Sequence, residues 1–185
     1  MILRTTPLEI VGTYIRAKDG NRPLLMRRVF AKDSELEMNV KTDAISFPSS
    51  VKGLEAISDV LVSRFAVDYE NVFTFCFSKP SEADGKRFAC HWLVGMSAKS
   101  DGAIRVGCGR YDWVFDPAEL GLVEKLRIDI DVMNVCSKEV FDPIMDWLSG
   151  VPYPWCTPDE AAKDIPAIDC LAAIRSHLKQ LKQRR

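Results

Sequence analysis

The chain has 185 residues, of which 47% are hydrophobic, with 25 Lys and Arg residues against 26 Asp and Glu residues. A chain of this length can bury roughly 70% of its unfolded surface, so it fits one domain with an appendage and needs no metal or disulfide to stabilise its core. The formal charge of −1 excludes the basic composition of a typical nucleic-acid-binding protein. The longest run without a charged residue, 147–158, contains three prolines, so no membrane-spanning segment is predicted.

The six cysteines are well separated along the chain, and no two have the two-to-four-residue spacing of a zinc knuckle. The N-terminus also lacks the apolar core of a signal peptide. We therefore expect reduced cysteines in a cytoplasmic protein, with no metal site and no cofactor.

Helical signals dominate the first third of the chain. Residues 6–9, Thr-Pro-Leu-Glu, form a capping box that predicts a helix starting there, and 19–21 end it. Pro23 starts a second helix. The period then changes to two over 34–40, which predicts a half-buried strand, and 53–65 return to helical spacing.

Four long strands are predicted next, separated by a turn at Asp84-Gly85, a turn at Asp101-Gly102 and a loop at 116–121. The predicted strands are 71–78, 87–98, 103–115 and 122–136. Helical patterns resume beyond residue 137, on both sides of a segment with prolines and aromatic residues at 151–155. This order predicts an α+β fold with helices on one face of a curved sheet.

The run from Tyr14 through Phe30 to Val40, followed by 47–57, resembles the SnoaL-like and ketosteroid-isomerase-like branch of the nuclear transport factor 2-like superfamily. The resemblance implies a cystatin-like cone, in which a curved antiparallel sheet wraps around N-terminal helices and leaves an apolar pocket at its open end.

The same resemblance implies a SnoaL-like domain at 1–137 and leaves 138–185 as a C-terminal helical extension. Sheet faces in this superfamily commonly pair, which implies a homodimer unless the two terminal helices cover that face.

In the isomerases of this superfamily, a tyrosine on the first helix stabilises the oxyanion and an aspartate on the first strand moves the proton. The resemblance places Tyr14 at the oxyanion position and Met38 at the position of the base. A thioether is not basic, and the alternation of β residues independently puts Met38 on the apolar face, with Glu37 pointing the other way.

The position that assists the oxyanion falls near Tyr111. If Tyr111 faces inward, two phenols polarise one carbonyl; if the register is off by one, Arg110 or Asp112 faces inward instead. Arg110 and Asp112 are alternate residues on one strand face, which is more typical of a surface ion pair. Gly107 and Gly109 either admit a ligand or mark a bulge, and we favour the bulge.

Other candidates for lining the pocket are apolar residues of the later strands, each of which has core packing as its alternative role. These are Trp92, Trp113, Leu126 and Ile128.

Three functions follow. The first is a pocket that binds a small, largely hydrophobic ligand. The second is a cofactor-free isomerase or lyase acting next to a carbonyl, with Tyr14 as oxyanion donor and Tyr111 or Asp112 replacing the base. The third is an interaction module that uses the C-terminal helices, where 153–155 form a lid, a partner surface or a packing segment.

Overall fold

A computed structural model describes residues 5–81, 85–116 and 121–183. The first helix, α1 (Pro7–Asp19), begins at the predicted capping box. The Glu9 amide donates to the Thr6 hydroxyl at 3.3 Å, and the Thr6 amide donates to the Glu9 carboxylate at 2.8 Å. A short 3-10 helix, Pro23–Arg28, follows where the second helix was predicted.

Six strands form one sheet in the order β2-β1-β6-β5-β4-β3. They are β1 (Phe30–Val40), β2 (Ser50–Lys52), β3 (Tyr69–Cys76), β4 (Arg87–Ala98), β5 (Ile104–Phe115) and β6 (Val123–Cys136). The α+β fold class is confirmed. Within it, the four long strands β3 to β6 pair antiparallel as predicted. The pairing of β1 with β6 is parallel, which the sequence did not reveal, because alternation indicates strands but not their partners.

The predicted helix at 53–65 consists of three short pieces: α2 (Leu54–Ser58), a π-helical turn (Asp59–Ser63) and α3 (Phe65–Asp68). We refer to 54–68 as the helical segment. Of the predicted turns, Asp84 and most of the 116–121 loop lie outside the described residues.

A β-bulge interrupts the β5–β6 ladder, where Cys108 pairs with Val132 but Gly109 pairs with Ile130. A Cβ at residue 109 would collide with the backbone carbonyl oxygen of Asp129, so the bulge interpretation of this glycine is confirmed. The bulge also changes which β6 side chains face inward, from the even-numbered residues up to Ile130 to the odd-numbered Met133.

The C-terminal extension comprises α4 (Phe141–Gly150), α5 (Pro158–Ala162) and α6 (Ala172–Gln183). Its apolar residues pack on the outer face of the sheet, while α1 and the helical segment pack on the inner face, so the sheet has a hydrophobic core on each side. No helix within the described ranges is long and apolar enough to cross a membrane.

The extension also binds the edge of the sheet. The Cys76 amide donates to the Pro154 carbonyl oxygen at 2.8 Å, and the Cys156 amide donates to the Cys76 carbonyl oxygen at 3.1 Å. Trp155 therefore lies alongside the exposed edge of β3 and reaches Gly12 of α1.

The prediction that all six cysteines are reduced is wrong for two of them. Cys136, at the end of β6, forms a disulfide with Cys170, which precedes α6. Their Cα atoms lie 5.6 Å apart because the extension folds back onto the sheet, and a spacing of 34 residues does not reveal that contact. The other four cysteines are free and buried.

Candidate functional site

A cavity of about 40 Å³ lies between α1, the helical segment and the inner face of the sheet. Its wall is formed mainly by aromatic, aliphatic and methionine side chains, including those of Met38, Met96 and Met133. A volume of ~10–15 Å³ suffices for one water molecule, so the cavity has room for a small chemical group but not for a whole drug-sized ligand.

Five of the predicted site residues meet at this cavity: Tyr14, Met38, Trp92, Tyr111 and Ile128. Because they come from α1, β1, β4, β5 and β6, the fold of the whole sheet is needed to bring them together.

The other predicted site residues lie elsewhere. Trp113 and Leu126 are buried in the inner core but do not line the cavity, and the Trp113 ring packs against Tyr14 with centroids 5.1 Å apart. Arg110 and Asp112 face outward on β5 and form a partly exposed ion pair at 3.2 Å. Neither side chain of that pair reaches the cavity.

Two phenols share the cavity wall. The rings of Tyr14 and Tyr111 pack edge to face with their centroids 5.8 Å apart. The Tyr14 hydroxyl is buried beside the Tyr111 phenol, which is its polar neighbour, and it has no hydrogen bond of ordinary geometry among the described residues. Burial raises the pKa of Tyr14, partly opposed by the neighbouring Tyr111 phenol, so Tyr14 remains a neutral hydrogen-bond donor at physiological pH.

Trp92 adds a second unpartnered donor to this wall. Its ring stacks on Tyr111 with centroids 5.5 Å apart, and its buried Nε1 finds no acceptor within the described part of the chain. The cavity wall thus carries two buried donors, a phenol and an indole nitrogen, that have no acceptor of ordinary geometry among the described residues.

Lys18 is a cavity residue that the sequence analysis missed. It lies one helical turn after Tyr14, and its Nζ is 3.1 Å from the Thr74 hydroxyl and 4.3 Å from the centre of the Phe65 ring. Burial lowers the pKa of Lys18, opposed by the charge of Asp19. The four-residue spacing from Tyr14 to Lys18 on a predicted helix was the available signal.

Asp19 is the centre of the polar network behind Lys18. The Thr74 amide and hydroxyl each donate to its carboxylate at 2.7 Å, and the Tyr153 hydroxyl donates at 2.9 Å. Lys18 Nζ is 3.5 Å from its nearer oxygen. Burial raises the pKa of Asp19, opposed by Lys18 and by these hydrogen bonds.

A larger pocket of about 480 Å³ adjoins the cavity and shares the side chains of Ile45, Phe47 and Phe65 with it. We call this pocket the vestibule. Its rim carries Asp68 and Arg64, among other polar residues, so it is wetter than the cavity.

The site has no geometry of a metal centre, since no group of three His, Cys, Asp or Glu side chains in the described ranges could hold a metal ion. What the cavity wall presents instead is hydrogen-bond donors: two phenols, one indole nitrogen and one amine.

Comparison with solved structures identifies the fold. A nuclear transport factor 2-like superfamily protein from Salmonella enterica superposes with a TM-score of 0.53 at 13% identity, covering 68% of this chain and 88% of the other. A protein from Catenulispora acidiphila with a ketosteroid isomerase-like fold, in complex with trimethylamine, gives 0.52 at 20% identity, covering 67% and 85%. A type 2 hexachlorocyclohexane dehydrochlorinase gives 0.56 at 10% identity, covering 69% and 84%.

These likenesses show that the chain has the nuclear transport factor 2-like fold, as the sequence resemblance predicted. No protein-family model and no curated protein sequence matches the chain.

Proposed function

We propose that this protein binds a small, neutral, largely hydrophobic molecule through one carbonyl oxygen. The observation that carries the proposal is a pair of buried donors on the cavity wall, the Tyr14 hydroxyl and Trp92 Nε1, that have no hydrogen bond of ordinary geometry among the described residues; the polar neighbour of Tyr14 is the Tyr111 phenol. A buried donor without an acceptor costs about 1–3 kcal/mol, and a carbonyl oxygen in the cavity removes that cost.

The charges around the cavity favour a neutral ligand. Lys18 is the one charged side chain among the described residues of the wall, and Asp19 already balances it. A buried carboxylate ligand would therefore add a net negative charge in an apolar cavity, which is unfavourable without a further partner. A ketone, aldehyde or ester accepts the same hydrogen bonds without that charge.

The sizes of the two spaces suggest how such a ligand would lie. The cavity has room for a carbonyl group, and the vestibule has room for the rest of the molecule. Ile45, Phe47 and Phe65 would contact the ligand where it passes from one to the other. Similar folds hold small molecules, as in the trimethylamine complex of the Catenulispora protein.

An isosteric pair of ligands tests the proposal. 2-Butanone and 2-methyl-1-butene have nearly the same shape, but only the ketone accepts hydrogen bonds. In NMR titrations we expect the ketone to bind more tightly, and Tyr14→Phe to weaken ketone binding by about two- to tenfold while leaving the alkene unchanged. Equal affinities for the two ligands, or no effect of Tyr14→Phe, would show that the donors are merely solvated by water.

A second candidate function is that of a cofactor-free isomerase or lyase acting next to the carbonyl, and the two adjacent phenols favour it. Tyr14 and Tyr111 would stabilise an enolate. Met38 cannot remove a proton, and Asp112 lies on the outer face of the sheet, which leaves Lys18 as the candidate base. In deuterated buffer, the α-hydrogens of 2-butanone should exchange faster with the protein present than without it. Loss of that acceleration in Tyr14→Phe would support this function.

The third candidate, an interaction module that uses the C-terminal helices, has less support, because their apolar residues pack on the sheet instead of facing outward. Membership of the SnoaL-like branch and the division into 1–137 and 138–185 stay as proposals. The terminal helices cover the outer sheet face, which is the condition under which the resemblance does not imply pairing through that face, so a homodimer would need another surface. Native mass spectrometry of the purified chain would test the homodimer.

A further inference from the structure

A lysine amine is held at the margin of an apolar cavity that the proposed function fills with a carbonyl compound. The Lys18 side chain is only 10% exposed. Its Nζ lies over the ring of Phe65, which is itself a wall of both the cavity and the vestibule. Phe65 therefore contacts the amine, the cavity and the vestibule, and Lys18 itself lines the cavity that a carbonyl compound would enter.

We propose that Lys18 captures small aldehydes and ketones covalently, as an imine on its Nζ. The proposal rests on the proposed function, since it requires a carbonyl ligand in the cavity. It goes further because the ligand carbon forms a covalent bond with Lys18 Nζ.

The reaction begins with the neutral amine. The lone pair of Lys18 Nζ attacks the carbonyl carbon, the π electrons of the C=O bond move to oxygen, and one proton passes from the nitrogen to that oxygen to give a neutral carbinolamine. The oxygen is protonated again, and the nitrogen lone pair forms the C=N bond as the carbon–oxygen bond breaks and water leaves. The iminium nitrogen then loses its proton, which replaces the one taken up by the oxygen. The two hydrogens of the amine leave in that water, so no oxidant or reductant is needed.

Asp19 and Tyr14 are placed to assist these steps. In the resting protein Lys18 and Asp19 form an ion pair, and Asp19 is the acceptor nearest to Lys18 that can take the ammonium proton. Burial lowers the pKa of Lys18 and raises the pKa of Asp19, so this proton transfer costs less free energy than it would between two exposed groups. The Tyr14 hydroxyl, one helical turn away, donates a hydrogen bond to the carbonyl oxygen as it becomes negative.

Surface lysines provide the comparison. Lys41 and Lys52 are each more than half exposed, and each pairs with a carboxylate at the surface, Lys41 with Asp131. The hydrogen bond and charge of Asp131 raise the pKa of Lys41, which keeps that amine protonated near neutral pH. A pKa lowered by one unit increases the neutral fraction of an amine about tenfold.

The experiment treats the wild-type protein with butanal and sodium cyanoborohydride near neutral pH. The reductant delivers hydride to the imine carbon and fixes the adduct as a butyl amine, which peptide mass mapping locates. We expect Lys18 to be labelled at least tenfold faster than Lys41 or Lys52. If the most exposed lysines are labelled fastest and Lys18 stays unmodified, the proposal is overturned. This result does not depend on the folding of any variant.

Two variants and one titration complete the design. Lys18→Arg should abolish the fast labelling, whereas the matched surface change Lys52→Arg should leave it intact. If Lys18 is not labelled but 2-butanone still binds in the NMR titration, the imine fails and the proposed function stands. If 2-butanone does not bind either, both fail.

Discussion

The hydroxyl of Tyr153 donates a hydrogen bond to Oδ2 of Asp19 at 2.9 Å, across 134 residues of sequence. Asp19 in turn lies beside Lys18 at the cavity. The C-terminal extension therefore does more than cover the outer face of the sheet, because one of its side chains reaches round the β3 edge and helps to hold the polar network behind the cavity.

Removing this hydroxyl should loosen the attachment of the extension. We expect Tyr153→Phe to lower the free energy of unfolding by about 1–2 kcal/mol, since a hydrogen bond to a charged group is lost. Phenylalanine keeps the ring contacts with Phe73 and Phe75, whereas Tyr153→Leu removes them as well and should cost more. Urea unfolding measures the free energy of unfolding of both variants. If Tyr153→Phe is as stable as the wild type, this hydrogen bond does not stabilise the fold.

Lys18 and Asp19 should be strongly coupled. Removing one member of a buried ion pair leaves the other uncompensated, so we expect Lys18→Met or Asp19→Asn alone to destabilise the protein by about 3–5 kcal/mol. The double variant should lose much less stability than the two single variants lose together. Urea unfolding of all four proteins gives the coupling energy, and strictly additive effects would mean that the two side chains do not interact.

The inward orientation of several cavity residues was predictable from local patterns. Alternation along β1 turns Met38 inward, and the helical period of α1 turns Tyr14 toward the sheet. The Lys18–Asp19 network was not predictable, because a charged pair at the end of a helix is ordinarily solvated. Its burial depends on Thr74 and on Tyr153, both distant in sequence.

The orientation of β5 shows a different limit. Sequence alone left two registers open, one with Tyr111 inward and one with Arg110 or Asp112 inward, and a shift of one residue exchanges the two faces of a strand. The structure has Tyr111 inward, and the pairing of β5 with both of its neighbours determines this register.

Gly109 should tolerate no side chain. A Cβ there would strike the Asp129 carbonyl oxygen, which belongs to the backbone of β6 and cannot move aside without breaking the ladder. We expect Gly109→Ala to destabilise the protein by about 2 kcal/mol or more. Gly150→Ala is the matched control, since its added Cβ meets no described atom within 4 Å beyond its chain neighbours and the backbone of its own helix. Similar melting temperatures for the two variants would contradict the bulge.

Asp129 should make stability sensitive to acid. Burial alone would raise the pKa of Asp129, but hydrogen bonds from Arg127 and Asn39 outweigh it and hold the pKa below its ordinary value. A lowered folded-state pKa contributes stability above the unfolded-state pKa, near 4, which is lost as the pH falls through the folded value.

We therefore expect Asp129→Asn to lose less stability than the wild type between about pH 5 and pH 2, by less than about 1 kcal/mol because solvent screens the group. Unfolding by urea across this range measures the difference, with the exposed Asp33→Asn as control. If Asp129→Asn loses as much stability as the wild type over this pH range, Asp129 does not have this role.

The Cys136–Cys170 disulfide should be detectable by counting thiols. In denaturant without reductant, we expect four reactive thiols per chain, and six after reduction, because four cysteines are free among six. The bond ties the extension to the end of β6, and closing a loop of this length stabilises a fold by about 2–4 kcal/mol. Reductant should thus destabilise the wild type to the level of Cys170→Ser and have no effect on Cys170→Ser itself. Six thiols in protein prepared without reductant would instead restore the prediction of fully reduced cysteines, and with it the argument for a cytoplasmic location.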